Sequence, residues 1–236
     1  MRALRRSFYI IFLIFTQAGF AQTSASANRL LHSIYGKLQK ANDYSVQANI
    51  KVDMPFIRML PIDAKIYFKQ KNKFKVESKS IAVVPRQGFD QASKMLADTN
   101  AFNALVQGTE LINNTPATVV NIIPVADTSD LILGKFWIDE KQKLILKTKL
   151  TTRSNGTILT EYFYGSQAQY ALPDKMIFQV DVKKFKMPAG TTTDAPSAKK
   201  KEDQSKDDKD KKGNIIITLT NYQVNKGIPD EFFKKK

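Results

Sequence analysis

GKFWIDEKQKLILKTKLTTRSNGTILTEYFYG, residues 134–165, reads as three antiparallel strands joined by two tight turns. Lys135 to Asp139 carries Phe136 and Ile138 on one face. Asp139 leads into the turn Glu140-Lys141-Gln142, where its short side chain can bond the backbone ahead of it. Leu144 to Thr152 alternates Leu144, Leu146 and Leu150 with Lys147 and Lys149. Ser154-Asn155-Gly156 makes the second turn, because Asn-Gly accepts the positive φ angles of a type I′ hairpin. Thr157 to Tyr164 is dense in the β-branched and aromatic residues that strands favour. A meander with one apolar and one charged face must lay the apolar face on something.

Upstream, Tyr44 to Met54 has the same grammar. Tyr44, Val46, Ala48, Ile50, Val52 and Met54 share one face, and Ser45, Gln47, Asn49, Lys51 and Asp53 share the other. Ile62 to Phe68 follows with Ile62, Ala64, Ile66 and Phe68 on one side, and a further strand runs through Phe74 and Val76. Single-faced strands of this kind predict antiparallel β rather than α/β. Ahead of them, Ser24 to Ala41 is predicted as an amphipathic helix. Leu30, Leu31, Ile34, Tyr35 and Leu38 form its apolar stripe. His32 falls beside that stripe with no acidic or cysteine neighbour at ligand spacing, so it reads as solvent-facing.

Two connections stay open to two readings. PFIRMLP, residues 55–61, is either a loop tucked into the core or an exposed apolar rim. The lysines between Lys69 and Lys79 are either a solvated face or a place for lipid headgroups. Gln87 to Asn100 is predicted helical, although Gly88 and Thr99 weaken it. Phe102 to Ile112 and Ala117 to Val125 read as a hairpin around Asn113-Asn114-Thr115-Pro116. Met176, Phe178, Val180 and Val182 line a further strand, and Ile215 to Val224 is the last one. Between these two, residues 188–213 are small, polar and mixed in charge. They are expected to be a disordered loop on a hairpin tip.

The 236 residues suffice for one large β domain, and there is no cysteine to staple it. Arg2, Arg5 and Arg6, the short apolar run Phe8 to Phe15, and Gly19-Phe20-Ala21 have the layout of a signal peptide. Cleavage is expected after Ala21, leaving an exported mature domain of residues 22–236. The formal charge is +15, and loss of the leader arginines keeps it strongly basic. In an exported protein that charge points to membranes or acidic envelope molecules and away from nucleic acid. No HExxH, GxSxG or phosphate-binding glycine loop is present, and no histidine or cysteine cluster. Asp127/Asp130 and Asp139/Glu140 fall in turns, where carboxylates serve the backbone. The expectation is a binding protein with no catalytic residue, cofactor or metal.

One helix, a long meander interrupted by a helical segment, FWIDEKQKLILKTKL, the Asn-Gly turn and a closing PDEFF resemble the periplasmic lipoprotein carriers, the LolA-like proteins. Their relatives include the receptor LolB and the regulator RseB. The resemblance spans about Ala25 to Phe233, and its most specific part is Phe136 to Tyr164, similar to the family's "lwiD…G" core. It implies a mainly β fold with flanking helices: a curved, unclosed antiparallel half-barrel with an N-terminal lid helix. Val46, Ile50, Val52, Ile66, Phe68, Leu144, Leu146, Phe178 and Val180 would line an acyl-chain cavity, and Leu31, Ile34 and Leu38 would form the lid. The implied partners are acylated lipoproteins or lipids and the lipoprotein-sorting proteins of the inner and outer membranes. The protein would act as a monomer, either ferrying cargo or sensing it without shuttling. Family members latch the lid with an arginine near an "RP…F" motif. Here the comparable FKQKNKFKVES offers only lysines, which cannot make that forked pair, so no latch residue is assigned.

Overall fold

A computed structural model describes residues 18–54, 57–71, 73–78, 96–154, 156–181 and 212–234. The helix α1 (Ala18–Leu38) is followed by β1 (Asp43–Met54), the two-residue β2 (Ile57–Arg58), β3 (Ile62–Lys69) and β4 (Lys73–Ser78). After a 3-10 turn at Thr99–Ala101 come β5 (Phe102–Ile112), β6 (Thr115–Pro124), β7 (Leu131–Asp139), β8 (Leu144–Thr152) and β9 (Gly156–Phe163). A 3-10 turn at Ala168–Tyr170, β10 (Lys175–Asp181), β11 (Lys212–Val224) and a 3-10 turn at Asp230–Phe233 complete the chain.

The strands form one antiparallel sheet in the order β4-β3-β1-β11-β10-β9-β8-β7-β6-β5, with β2 attached to β1. It is a half-barrel: β4 and β5 remain separate edges, and α1 lies over the β5 side. The last strand joins two meanders. On one side β11 pairs with β1, Ile50 opposite Ile217; on the other it pairs with β10, Met176 opposite Ile217. Ile217 is therefore the middle of a three-strand seam.

Inward residues collect into two cores. The first holds Val46, Ile50, Ile66, Met176, Phe178, Ile215 and Ile217 from β1, β3, β10 and β11. The second packs Ala27, Leu31 and Ile34 of α1 on Phe102, Val120, Ile122, Phe136, Ile138, Ile145 and Leu150. Burying each large side chain here contributes about 1.5–3 kcal/mol. Tyr162 of β9 touches both cores. A smaller cluster of Ala117, Val119 and Trp137, with Ile112 and Leu146, lies on the outer face. There Trp137 donates its indole N–H to Glu110 Oε2 at 2.7 Å.

Local boundaries differ from expectation where long-range pairing overrides local pattern. Within the described residues α1 covers Ala18–Leu38, against the expected Ser24 to Ala41. His32 is exposed. Among the described residues no helix is long and apolar enough to cross a membrane. β6 begins at Thr115, so the hairpin connection is Asn113-Asn114, both left-handed at φ 48° and 63°. These are the two positive φ angles of a type I′ turn. At the Asn-Gly hairpin, Thr152 instead pairs with Gly156, whose φ is 70°. Residues 153–155 therefore lie between the paired ends, and Gly156, expected inside the turn, is the left-handed residue that opens β9. Residues 55–61 split between both readings: Met59 packs on the first core and Leu60 is 86% exposed. Lys212 and Gly213 belong to β11 rather than to the charged loop. The leader up to residue 17, most of the 87–100 helix, Val182 and the rest of the 188–213 loop lie outside the described residues.

Candidate functional site

The site lies where the two cores meet, under the C-terminal end of α1. Leu38 and Gln39 from the helix, Tyr44, Phe68 and Gln70 from the β1–β3 side, and Ile145, Tyr162 and Tyr164 from β8 and β9 surround a cavity of about 110 Å³. Ala171, Leu172, Pro173, Met176 and Tyr222 close it. Five of its wall residues are aromatic. Tyr44 stacks on Phe68 at 5.1 Å between ring centroids and meets Tyr222 at 5.9 Å.

Two of the tyrosine hydroxyls are tied to backbone carbonyls of the wall. Tyr164 donates to the Ile145 carbonyl at 2.8 Å, and Tyr222 donates to the Pro173 carbonyl at 2.7 Å. Tyr162 lies 3.5 Å from the Thr148 hydroxyl. Burial pushes the phenols of Tyr162, Tyr164 and Tyr222 up, since an anion there would lose its water. All three stay neutral, so the rings present apolar faces while their polar tips are satisfied. The chemistry this supports is apolar contact. Among the described residues no group of three His, Cys, Asp or Glu side chains converges on a point.

The lid helix is fixed at this same end. Gln70 Nε2 donates to the Gln39 carbonyl at 2.8 Å, and Asn225 Nδ2 donates to the Lys40 carbonyl at 2.9 Å. Asn225 Oδ1 also accepts the Asn42 N–H at 2.7 Å. Carbonyls left over at a helix C-terminus are thus met by sheet amides. Lys37 Nζ donates to the Gln142 carbonyl in the β7–β8 turn at 2.5 Å. Desolvation, with Lys40 adding to it, lowers the Lys37 pKa against the pull of Asp139. Asp139 in turn accepts the Gln142 N–H at 3.0 Å, which shapes the turn that Lys37 grips.

Phe68 is the predicted cavity residue that stands in the wall, and Leu38 is the lid residue that does. Val46, Ile50, Val52, Ile66, Phe178 and Val180 are packed into the first core. Leu144 is buried at the start of β8, and Leu31 and Ile34 are packed into the second core. Leu146 is a correction: it lies in the outer cluster beside Trp137. The pairing runs from Trp137/Lys147 to Ile138/Ile145, so Leu146 is the extra residue of a β-bulge. One inserted residue reverses the in–out alternation, and Ile145 takes the inward place. Among the wall residues that sequence reasoning left out are Tyr44, Ile145, Tyr162, Tyr164, Met176 and Tyr222. The inward parity of Ile158 and Thr160 along β9 carries on to Tyr162, which is the signal that finds it.

No family model and no curated protein matches the sequence. Solved structures do. A DUF1329 family protein from Desulfovibrio piger superposes with a TM-score of 0.57 at 10% identity, over 90% of this chain and 97% of that one. A domain from Vibrio parahaemolyticus, named for outer membrane lipoprotein sorting, gives 0.58 at 9% identity, over 89% and 97%. A LolA superfamily protein from Nitrosomonas europaea gives 0.50 at 11% identity, over 86% and 96%. The fold is LolA-like. At these identities the likeness is one of backbone architecture. Within the LolA-like fold the wall described above belongs to this chain's own side chains.

Proposed function

We propose that the chain is an exported periplasmic carrier that takes up the acyl chains of lipoproteins or lipids between α1 and the half-barrel and moves them toward the outer membrane. It acts as a monomeric binding protein without catalytic group, cofactor or metal. Its partners are acylated cargo and the membrane proteins that load and unload it. Signal-peptide cleavage after Ala21 trims the first turn of α1 and leaves Ala27, Leu31 and Ile34 in place.

The observation that carries this reading is the uncharged cavity, walled in part by aromatic rings, beneath the C-terminal end of the helix. At about 110 Å³ the cavity is smaller than the roughly 150 Å³ space that admits benzene. An acyl chain therefore enters only as α1 lifts. Uncovering Leu31, Ile34 and Leu38 costs about 2 kcal/mol for each side chain. An acyl chain of about 15 methylenes gains on the order of 12 kcal/mol on leaving water, so the chain can displace the lid.

The test is release of a labelled, newly acylated lipoprotein from spheroplasts by the purified protein. Soluble cargo in a one-to-one complex is the expected result. Retention of all cargo on the membrane, in a preparation where a known carrier releases it, overturns shuttling. A stable complex with one membrane protein under those conditions would make the chain a sensor.

A further inference from the structure

β4 is an edge strand, and the end of the chain lies against it and β3. The Phe232 ring meets Tyr67 at 4.5 Å between centroids, and Lys75 Nζ lies 4.0 Å from the centre of that ring. Lys69 Nζ donates to the Ile228 carbonyl at 2.7 Å. In the turn between these contacts, Asp230 places one carboxylate oxygen 2.7 Å from Lys69 Nζ and the other 2.5 Å from Lys73 Nζ.

Lys69 and Lys73 are direct cross-strand partners. Two ammonium groups side by side repel, and Asp230 removes that repulsion. Hydrogen bonds from Lys69 and then Lys73 hold the Asp230 carboxyl down to about 2. Two fixed cations converging on a two-oxygen anion match what a phosphodiester offers. The lysines stand on paired strands and are about one-third exposed, at 31% and 30%, whereas Asp230 rides on a short turn at 53%. The carboxylate can leave without disturbing the sheet. Lys69 also falls between Phe68 and Gln70, both in the cavity wall, so the lysine pair sits at the cavity end of β3.

We propose that Lys69 and Lys73 bind the phosphate-bearing headgroup of an anionic membrane lipid, and that Asp230 of the chain's own C-terminal turn occupies the site until the headgroup displaces it. This docking site would stand whether or not the cavity takes an acyl chain. The charge of the whole chain, +15, favours the same surface.

The experiment is co-sedimentation of the full chain with phosphatidylcholine vesicles, with and without phosphatidylglycerol. Wild type is expected to bind the anionic vesicles. K69Q/K73Q should lose roughly tenfold or more in affinity. K51Q/K149Q removes the same charge from exposed positions elsewhere on the sheet and should stay within about twofold. Asp230→Asn should gain roughly threefold with an unchanged circular dichroism spectrum. Equal losses from the two lysine pairs, or weaker binding by Asp230→Asn, would overturn the site. Binding of inorganic phosphate by the wild type with no binding to either kind of vesicle would overturn the lipid as its occupant.

Discussion

Lys37 Nζ reaches across from the last turn of α1 to the Gln142 carbonyl, 2.5 Å away, and so ties the lid to the β7–β8 turn. The contact joins helix and sheet over a long stretch of sequence. It comes from the helix itself, with a backbone acceptor. Lys37→Met keeps the apolar stem and deletes the bond. It should lower stability by about 1 kcal/mol and raise amide exchange selectively in α1. Ligand uptake should become faster with little change in the unliganded sheet. Exchange that rises equally in β1 and α1 would mean the bond holds the whole domain rather than the lid.

Leu146 and Ile145 separate the two faces of β8 at a single peptide bond. Ile145 stands in the cavity wall and Leu146 packs outside on the Trp137 cluster. Ile145→Glu should abolish binding of a fluorescent fatty acid, because a carboxylate there is desolvated without a partner. Leu146→Glu should keep binding within about twofold and cost about 1–2 kcal/mol of stability. The reverse order would place the bulge elsewhere. Ile50→Glu is no useful probe of binding, since Ile50 lies wholly inside the first core and the change should unfold the protein.

Period-two alternation made the faces legible wherever strands run without interruption. All six apolar residues from Tyr44 to Met54 are buried as read. Alternation does not reveal bulges, because an extra residue looks like any other until its partner strand is known. Leu146 in β8 and Gln107 in β5 are such cases. The place of β11 between β1 and β10 was equally hidden, since pairing of Ile217 with Ile50 spans most of the chain and leaves no local trace. The cavity was the least legible part. Its wall gathers strand-end tyrosines from β1, β9 and β11, which become neighbours only once the seam is closed.

Asn225 ties the chain after β11 to the residues that follow α1. Its side chain donates to the Lys40 carbonyl and accepts the Asn42 N–H, and its own backbone is left-handed at φ 57°. Asn225→Gly keeps that backbone freely but loses both bonds. Asn225→Ala loses the bonds and adds strain. Each bond is worth about 1 kcal/mol, so denaturant melts should rank wild type above glycine and glycine above alanine. The glycine variant should lose about 2 kcal/mol, and alanine about 1 kcal/mol more. An alanine variant as stable as wild type would show that the Asn225 bonds do not hold the end of α1.

The cavity tyrosines set an alkaline limit. Tyr164 and Tyr222 have phenols raised by burial above the ordinary value of 10.0. A group whose folded pKa is raised contributes stability that is fully present below its unfolded pKa and is lost as pH climbs beyond it. Stability should therefore be flat up to about pH 10 and fall steadily above it. The two tyrosines should ionise with unfolding rather than before it. Tyr164→Phe and Tyr222→Phe should each flatten that fall. Each should also lose about 1 kcal/mol at neutral pH, because the Ile145 or Pro173 carbonyl loses its donor. Tyrosinate absorbance followed beside circular dichroism checks both halves. Ionisation of either residue in the folded protein near pH 10 would mean that its ring is open to water.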